Sequence, residues 1–296
     1  VPEIGAINRG ENMEITTYLE KTLDSELSAN VIDLCPVGAL TSKPYAFEAR
    51  PWELTKTESI DVMDAVGSNI RVDTKGWEVK RILPRINEDI NEEWISDKTR
   101  YACDGLLKNR LDTPYIKIDG KHQPCSWDKA LEFIFEKTKD LSGDKAYGVV
   151  GDLADVESMY MFKKFFKDVL SSDNIDFRQT DYFIDPSHKV NYLFNTSIAR
   201  VDEADLIVLI GTNPRLEATI LNARIRKAYL ARKTKVYSIG DVGDLTYPHE
   251  NVGSSFSLIA EILNKNGKIY NNLKSAKKPV FIIGESGLSS NGEYVL

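Results

Sequence analysis

Three cysteines and three histidines among 296 residues leave this chain little material for thiol or metal chemistry of its own. Cys35, Cys103 and Cys125 lack the dense, even pattern of a disulfide scaffold. Cys103 and Cys125 have no metal-ligand spacing with each other or with Cys35, and read as packing thiols. His122, His188 and His249 belong to no Cys or carboxylate constellation, so no catalytic residue is assigned. No apolar run approaches the ~18–20 residues of a membrane span, and nothing reads as a signal peptide. Neither G-x-G-x-x-G nor a P-loop is present. Positive charge is also short: 38 basic against 45 acidic residues give a net charge of −7, which argues against a phosphate-reading nucleic-acid surface. Composition therefore points to a soluble, ordered, intracellular protein of two or three units, reaching membranes only through partners.

The most telling deficiency is local. Asp61-Val62-Met63-Asp64-Ala65-Val66-Gly67-Ser68 has the shape of a metal-binding loop without metal ligands. Cysteines at 61, 64 and 68 would make C-x2-C-x3-C, a spacing suited to an iron–sulfur cube, and Ser96 lies where a fourth ligand is expected. Asp and Ser are hard oxygen donors and poor substitutes for thiolates on such a cluster. Taken alone, these residues are ordinary turn chemistry.

What is present begins with Cys35, in Leu34-Cys35-Pro36-Val37-Gly38-Ala39-Leu40-Thr41. Cys followed by Pro closes a bacterial ferredoxin-type cluster run; Pro36 fixes the turn and Gly38 lets backbone approach the sulfur. A short helix capped by Ser28 is expected to run toward Leu34 and deliver Cys35. The run Val31–Phe47, Arg50-Pro51-Trp52-Glu53, Glu58–Ile70, Arg81–Arg85, Asn87–Arg100 and Leu209–Arg215 together closely resemble the large iron–sulfur subunit of respiratory complex I. The resemblance is weakest over 120–190 and beyond 250.

The resemblance implies much that spacing does not. The family's later part is similar to molybdopterin oxidoreductases, whose first domain carries a C-x2-C-x3-C…C cluster. Departures at Asp61, Asp64, Ser68 and Ser96 imply that this cluster is absent, as in alphaproteobacterial and mitochondrial members. Cys35 is implied to ligate a 4Fe–4S cluster in the intact subunit, whose other thiolates lie upstream of Val1; one thiolate should not hold it here. The chain is thus expected to be an internal fragment, relaying electrons from NADH and flavin toward quinone only within the whole subunit. Its implied partners are the other peripheral-arm subunits, with neither nucleic acid nor direct membrane insertion, on the cytoplasmic side in bacteria or the matrix side in mitochondria. No bound molybdopterin is expected; a molybdopterin-dependent oxidoreductase, or its cofactor-binding subunit, is the alternative.

The expected fold is α/β: residues 1–54 the tail of a ferredoxin-like 4Fe–4S domain, 55–118 a small β-rich domain, and 119–296 an incomplete, Rossmann-like, parallel-sheet molybdopterin-oxidoreductase-type domain. Polar–apolar alternation over 68–73 and 78–83 around Thr74-Lys75-Gly76 predicts a hairpin. Strands are expected at 146–151, 204–211, 235–240 and 279–284, and helices over 155–170 and around Ile220, Ile225 and Tyr229. Repeated strand–Gly–helix units imply a parallel sheet covered on both faces. Gly151, Gly211 and Gly284 should sit at carboxyl ends of strands, where such sheets bind ligands, but here they read as steric glycines of a vacant pocket. Arg215, Arg224, Arg226 and Lys227 form a basic cluster read as an exposed face or subunit contact, and Glu92-Glu93 read as solvated.

Overall fold

The computed structural model describes residues 3–17, 21–106, 108–178, 180–265, 267–289 and 295. Two compact units result: residues 1–104 with 182–296, and residues 105–181. This division cuts across the three segments expected from sequence, because the second half of the chain returns to pack on the first.

The first unit opens with a hairpin that the sequence does not announce, β1 (Ile4–Ile7) against β2 (Glu14–Thr17). Helix α1 (Asn30–Leu34) ends at Cys35. Ser28 is not its cap: its hydroxyl donates 2.5 Å to Asp97 Oδ2, a distant partner that outcompetes the local one. β3 (Thr55–Ile60), β4 (Asn69–Lys75) and β5 (Glu78–Pro84) form an antiparallel sheet in that order. The expected β4–β5 hairpin is present, turning through Gly76 in the left-handed region at φ +62°. Helix α2 (Asp97–Tyr101) follows, and Ser96 caps it by accepting from Thr99 N–H.

The second unit holds the hairpin β6 (Tyr115–Ile118)–β7 (Lys121–Pro124), helix α3 (Trp127–Thr138), β8 (Gly148–Val149), α4 (Val156–Lys164) and β9 (Ile175–Asp176). The strand expected over 146–151 reduces to a two-residue parallel pairing of β8 with β9, and Tyr147 and Val149 face solvent rather than a core. Asp155 caps α4 by accepting from Ser158 N–H, and the chain continues as a π-helical turn over Phe165–Val169. Phe162 and Phe166, with ring centroids 4.7 Å apart, press on Gly148, whereas Val169 is exposed; the aromatic stripe packs only in part.

The remainder of the first unit is the parallel sheet: β10 (Leu206–Ile210), α5 (Pro214–Glu217), α6 (Thr219–Arg232), β11 (Lys235–Ile239), β12 (Glu250–Gly253), α7 (Ser257–Leu263), α8 (Gly267–Ser275), β13 (Pro279–Ile283) and α9 (Glu285–Leu288). The strand order is β12-β11-β10-β13, all pairs parallel. Every residue of β10 is buried, as an unbroken apolar run at the centre of a two-faced sheet requires. Ile207 and Leu209 pack with Ile220, Leu221 and Ile225 of α6; Leu206, Val208 and Ile210 pack with Ile259 and Ile269 on the opposite face.

Arg224 joins the halves of this unit. Its side chain, 3% exposed, donates to the carbonyls of Glu88 and Ile90 and, at 3.0 Å, to Asp202 Oδ2. Lys227 pairs with Asp202 and Glu92, and Arg215 with Glu26 and Asp244, both at 2.8 Å. The basic cluster is therefore mostly internal clamp rather than free surface, and Glu92 is one of its partners rather than merely solvated. Arg226 alone of the four has the exposed position expected without an ion pair among the described residues. Arg224→Ala, which leaves the Glu88 and Ile90 carbonyls without their donor and Asp202 with Lys227 alone, should cost about 3 kcal/mol. Arg226→Ala should stay within about 0.5 kcal/mol. Denaturant titration of both variants checks this, and equal losses would contradict the clamp.

Candidate functional site

Two features with cluster chemistry in their sequence lie on one bonded framework in the first unit. Helix α1 places Cys35 at its carboxyl end, where the Cys35 amide donates to the carbonyls of Val31 and Ile32. The chain then reverses through Pro36, and the thiol donates to Val37 O at 2.9 Å. Backbone hydrogen bonding from Val37, then Leu40 and Ala39, holds the Cys35 thiol below its ordinary pKa despite partial desolvation. Cys35 is half-buried, and its neighbours Leu34 and Val37 are exposed.

The loop over 61–68 is closed by its own oxygen donors. Asp61 N–H donates to Ser68 O at 2.8 Å, and Thr99 Oγ1 donates to Asp61 Oδ2 at 2.8 Å. Thr99 Oγ1 also lies 2.8 Å from Ser96 Oγ. Since the single Thr99 hydroxyl proton goes to Asp61, Ser96 is the donor of that second pair. Asp61, Ser68, Ser96 and Thr99 are all buried. Three of the four positions singled out in the sequence are thus linked, and Asp64 is close enough to Asp61 for its charge to be felt. Val66, at the loop's far side, packs into the core beneath α6.

These residues do not fit an iron–sulfur cube. The donors are carboxylate and hydroxyl oxygens, and both Asp61 oxygens already accept, from Thr99 and from Met63 N–H at 3.3 Å. Among the described residues no group of three His, Cys, Asp or Glu is arranged to hold a metal. Cys35 fits as one thiolate ligand but stands without companions: Cys103 donates weakly to Arg100 O and Cys125 to Pro114 O, each within its own segment.

Thr99 and Arg100 lie inside a block that carries the family resemblance, yet sequence reasoning gives them no role. Arg100, 5% exposed, donates to Asp33 Oδ2 at 2.5 Å and to Asn30 Oδ1 at 3.3 Å, docking α1 on α2. Asn30 exchanges hydrogen bonds with both backbone groups of Ile95. The only sequence signal is the pairing of a Ser-x-x-Thr cap with Arg in one turn.

At the carboxyl end of the parallel sheet the expected glycines meet each other. Gly211 has φ +56°, and a Cβ there would collide with Gly287 N; a Cβ on Gly284 would collide with Thr212. Ser286 Oγ donates to Gly211 O, and Glu217 accepts from the Thr212 hydroxyl and from Asn213 N–H. The crevice beside β10 and β13 is therefore filled by the chain's own backbone.

A parallel sheet with both faces covered, preceded by a three-stranded antiparallel sheet, defines an α/β protein. Residues 110–293 match the molybdopterin oxidoreductase family model, and the chain belongs to that family. Residues 54–104 match the model for the NADH-ubiquinone oxidoreductase NDSU1/NuoG-like 4Fe-4S domain, and residues 1–41 that for the ferredoxin-like domain of NADH-quinone oxidoreductase subunit 3. The chain is 48% identical, over 96% of its length, to the NADH-ubiquinone oxidoreductase 75 kDa subunit of Reclinomonas americana. It is 49% identical, over 99% of its length, to the mitochondrial NADH-ubiquinone oxidoreductase 78 kDa subunit of Neurospora crassa. Identity to the corresponding 78 kDa subunit of Candida albicans is 47% over 98% of the chain. The chain spans 43%, 40% and 40% of these relatives.

Asp64 provides a test of the closed loop. Desolvation, reinforced by the charge of Asp61, raises its pKa, although Val66 N–H opposes the shift. A carboxyl raised on folding contributes its stability below the unfolded pKa and loses it as pH climbs through the folded one. Asp64→Asn, which keeps the acceptor for Val66, should thus be more stable than the wild type at pH 7, with the gap closing below the ordinary carboxylate range. Denaturation midpoints across pH 3–8 measure it; a constant gap would contradict the burial of this charge.

Proposed function

We propose that this chain is the central portion of a complex I iron–sulfur subunit, which relays electrons from NADH and flavin toward quinone. The observation that carries the reading is near-half identity along the whole chain, together with Cys35 at a helix end, its sulfur among backbone hydrogen bonds. A 4Fe–4S cluster would supply one-electron carriage. Cys35 would give one thiolate, with the other ligands on polypeptide outside these 296 residues. The backbone amides that lower the Cys35 pKa would stabilise negative charge at the sulfur.

On this reading, residues 1–54 descend from the ferredoxin-like domain, 55–118 from the cluster domain of molybdenum enzymes, and 119–296 from their Rossmann-like domain. The last two serve as scaffold. Filling of the Gly211 crevice by Gly284 and Gly287 supports scaffold over a working molybdopterin site, the rival reading. The partners are the neighbouring peripheral-arm subunits, and attachment to the membrane is through them. Among the described residues no helix is long and apolar enough to cross a bilayer.

Iron and acid-labile sulfide on a chain produced at the length of its relatives test the proposal. Cys35→Ala is expected to lose about four irons per chain relative to the wild type, since a cube is held by four thiolates. Unchanged iron in that variant would remove Cys35 from the ligand set, and no cluster in either protein would leave only the scaffold.

A further inference from the structure

The parallel sheet carries a second feature, at the edge where its strands begin, opposite the Gly211 end. A cavity of about 350 Å³ opens there, lined among others by Tyr229, Lys233, Lys235, Tyr237, His249 and Lys268. Three elements build it. Lys233 follows α6 in the left-handed conformation, φ +59°, and sets its ammonium 5.9 Å from the centroid of the Tyr229 ring. Lys235 starts β11 and donates to the neutral Asn272 Oδ1 at 3.3 Å. His249 precedes β12, whose first residue, Glu250, accepts from Lys268 through both oxygens at 2.7 and 2.8 Å.

The charges facing this cavity do not cancel. Glu250 is matched by Lys268, while Lys233 and Lys235 have no carboxylate partner among the described residues. Two lysines without a carboxylate partner among the described residues therefore line one concavity in a chain whose net charge is −7. The usual fate of an exposed lysine is a solvated surface, but these two line a concavity that also holds the His249 imidazole, the Tyr229 ring beside it being stacked on Tyr247. Its volume sits at the small end of ligand pockets, and cation beside aromatic face is the combination that holds a phosphate and a planar ring together.

We propose that this cleft binds a small phosphate-bearing ligand of the mononucleotide type. The phosphate meets Lys233 and Lys235, and the ring lies against His249. The site is independent of the electron-relay reading, since it uses neither Cys35 nor the emptied loop, and it lies at the other end of the sheet from the filled crevice.

Calorimetric titration of the full chain with AMP, and separately with inorganic phosphate, at low salt tests it. AMP should bind saturably, and inorganic phosphate at least about tenfold more weakly, having no ring to seat. Lys233→Gln and Lys235→Gln should each weaken AMP binding about tenfold, and Lys235→Arg should restore it, because a charge-assisted contact is regained. Both lysines are exposed, so thermal midpoints should hold and report that the variants are folded. Absence of saturable AMP binding, AMP affinity unchanged in the double Gln variant, or phosphate binding as tightly as AMP would each overturn the proposal.

Discussion

Burial of the Arg100 guanidinium between α1 and α2 is the constraint on which the placement of Cys35 depends. A buried cation is tolerated only where carboxylate and carbonyl oxygens meet it, and Asp33 and Asn30 of α1 supply them. The same short helix is fixed from the other side by Asp97, which accepts from Ser28 Oγ and Ala29 N–H, and by the Asn30–Ile95 exchange. α1 has five residues, too few to persist alone. Its geometry, and with it the direction of the Cys35 turn, is borrowed from the 95–100 segment.

That segment also closes the 61–68 loop. Ser96 and Thr99 pass a chain of hydroxyl protons to Asp61, while Val66 drops into the core of the parallel sheet. Hydrogen bonds and one aliphatic side chain hold this loop closed. The closure is imperfect: Ser68 Oγ and Arg100 Nε are buried with no partner among the described residues. Such orphans cost free energy, and they sit at the two joints of the framework. A loop retained at that cost is consistent with a structural task, that of presenting the surface from which Cys35 projects.

Much of this is legible in the sequence where the signal is local. The unbroken run Leu206–Ile210, its Gly211 turn and the helix behind it read correctly because burial on both faces leaves an aliphatic strand and a short polar turn. The β4–β5 hairpin reads correctly because one of its faces is wet and alternation survives. What escapes is long-range. Arg215 meets Glu26 across 189 residues and Arg224 meets Ile90 across 134, so a basic stretch looks like free surface. Ser28 reads as a cap because Asp97, 69 residues away, is invisible to a local rule. The run over 146–151 is apolar enough for a central strand, yet only two residues find a neighbour. The family models and the sequence resemblance agree on ancestry, while the Thr99 bridge that closes the loop emerges only in three dimensions.

The closed loop and α2 together position the Cys35 turn, and amide hydrogen exchange on Arg100→Leu measures this most directly. The Cys35 amide and the Ala29–Val31 amides are expected to lose about tenfold or more of their protection, while β10 and β11 exchange as in the wild type. Unchanged protection around Cys35, or an equal loss across the parallel sheet, would contradict it.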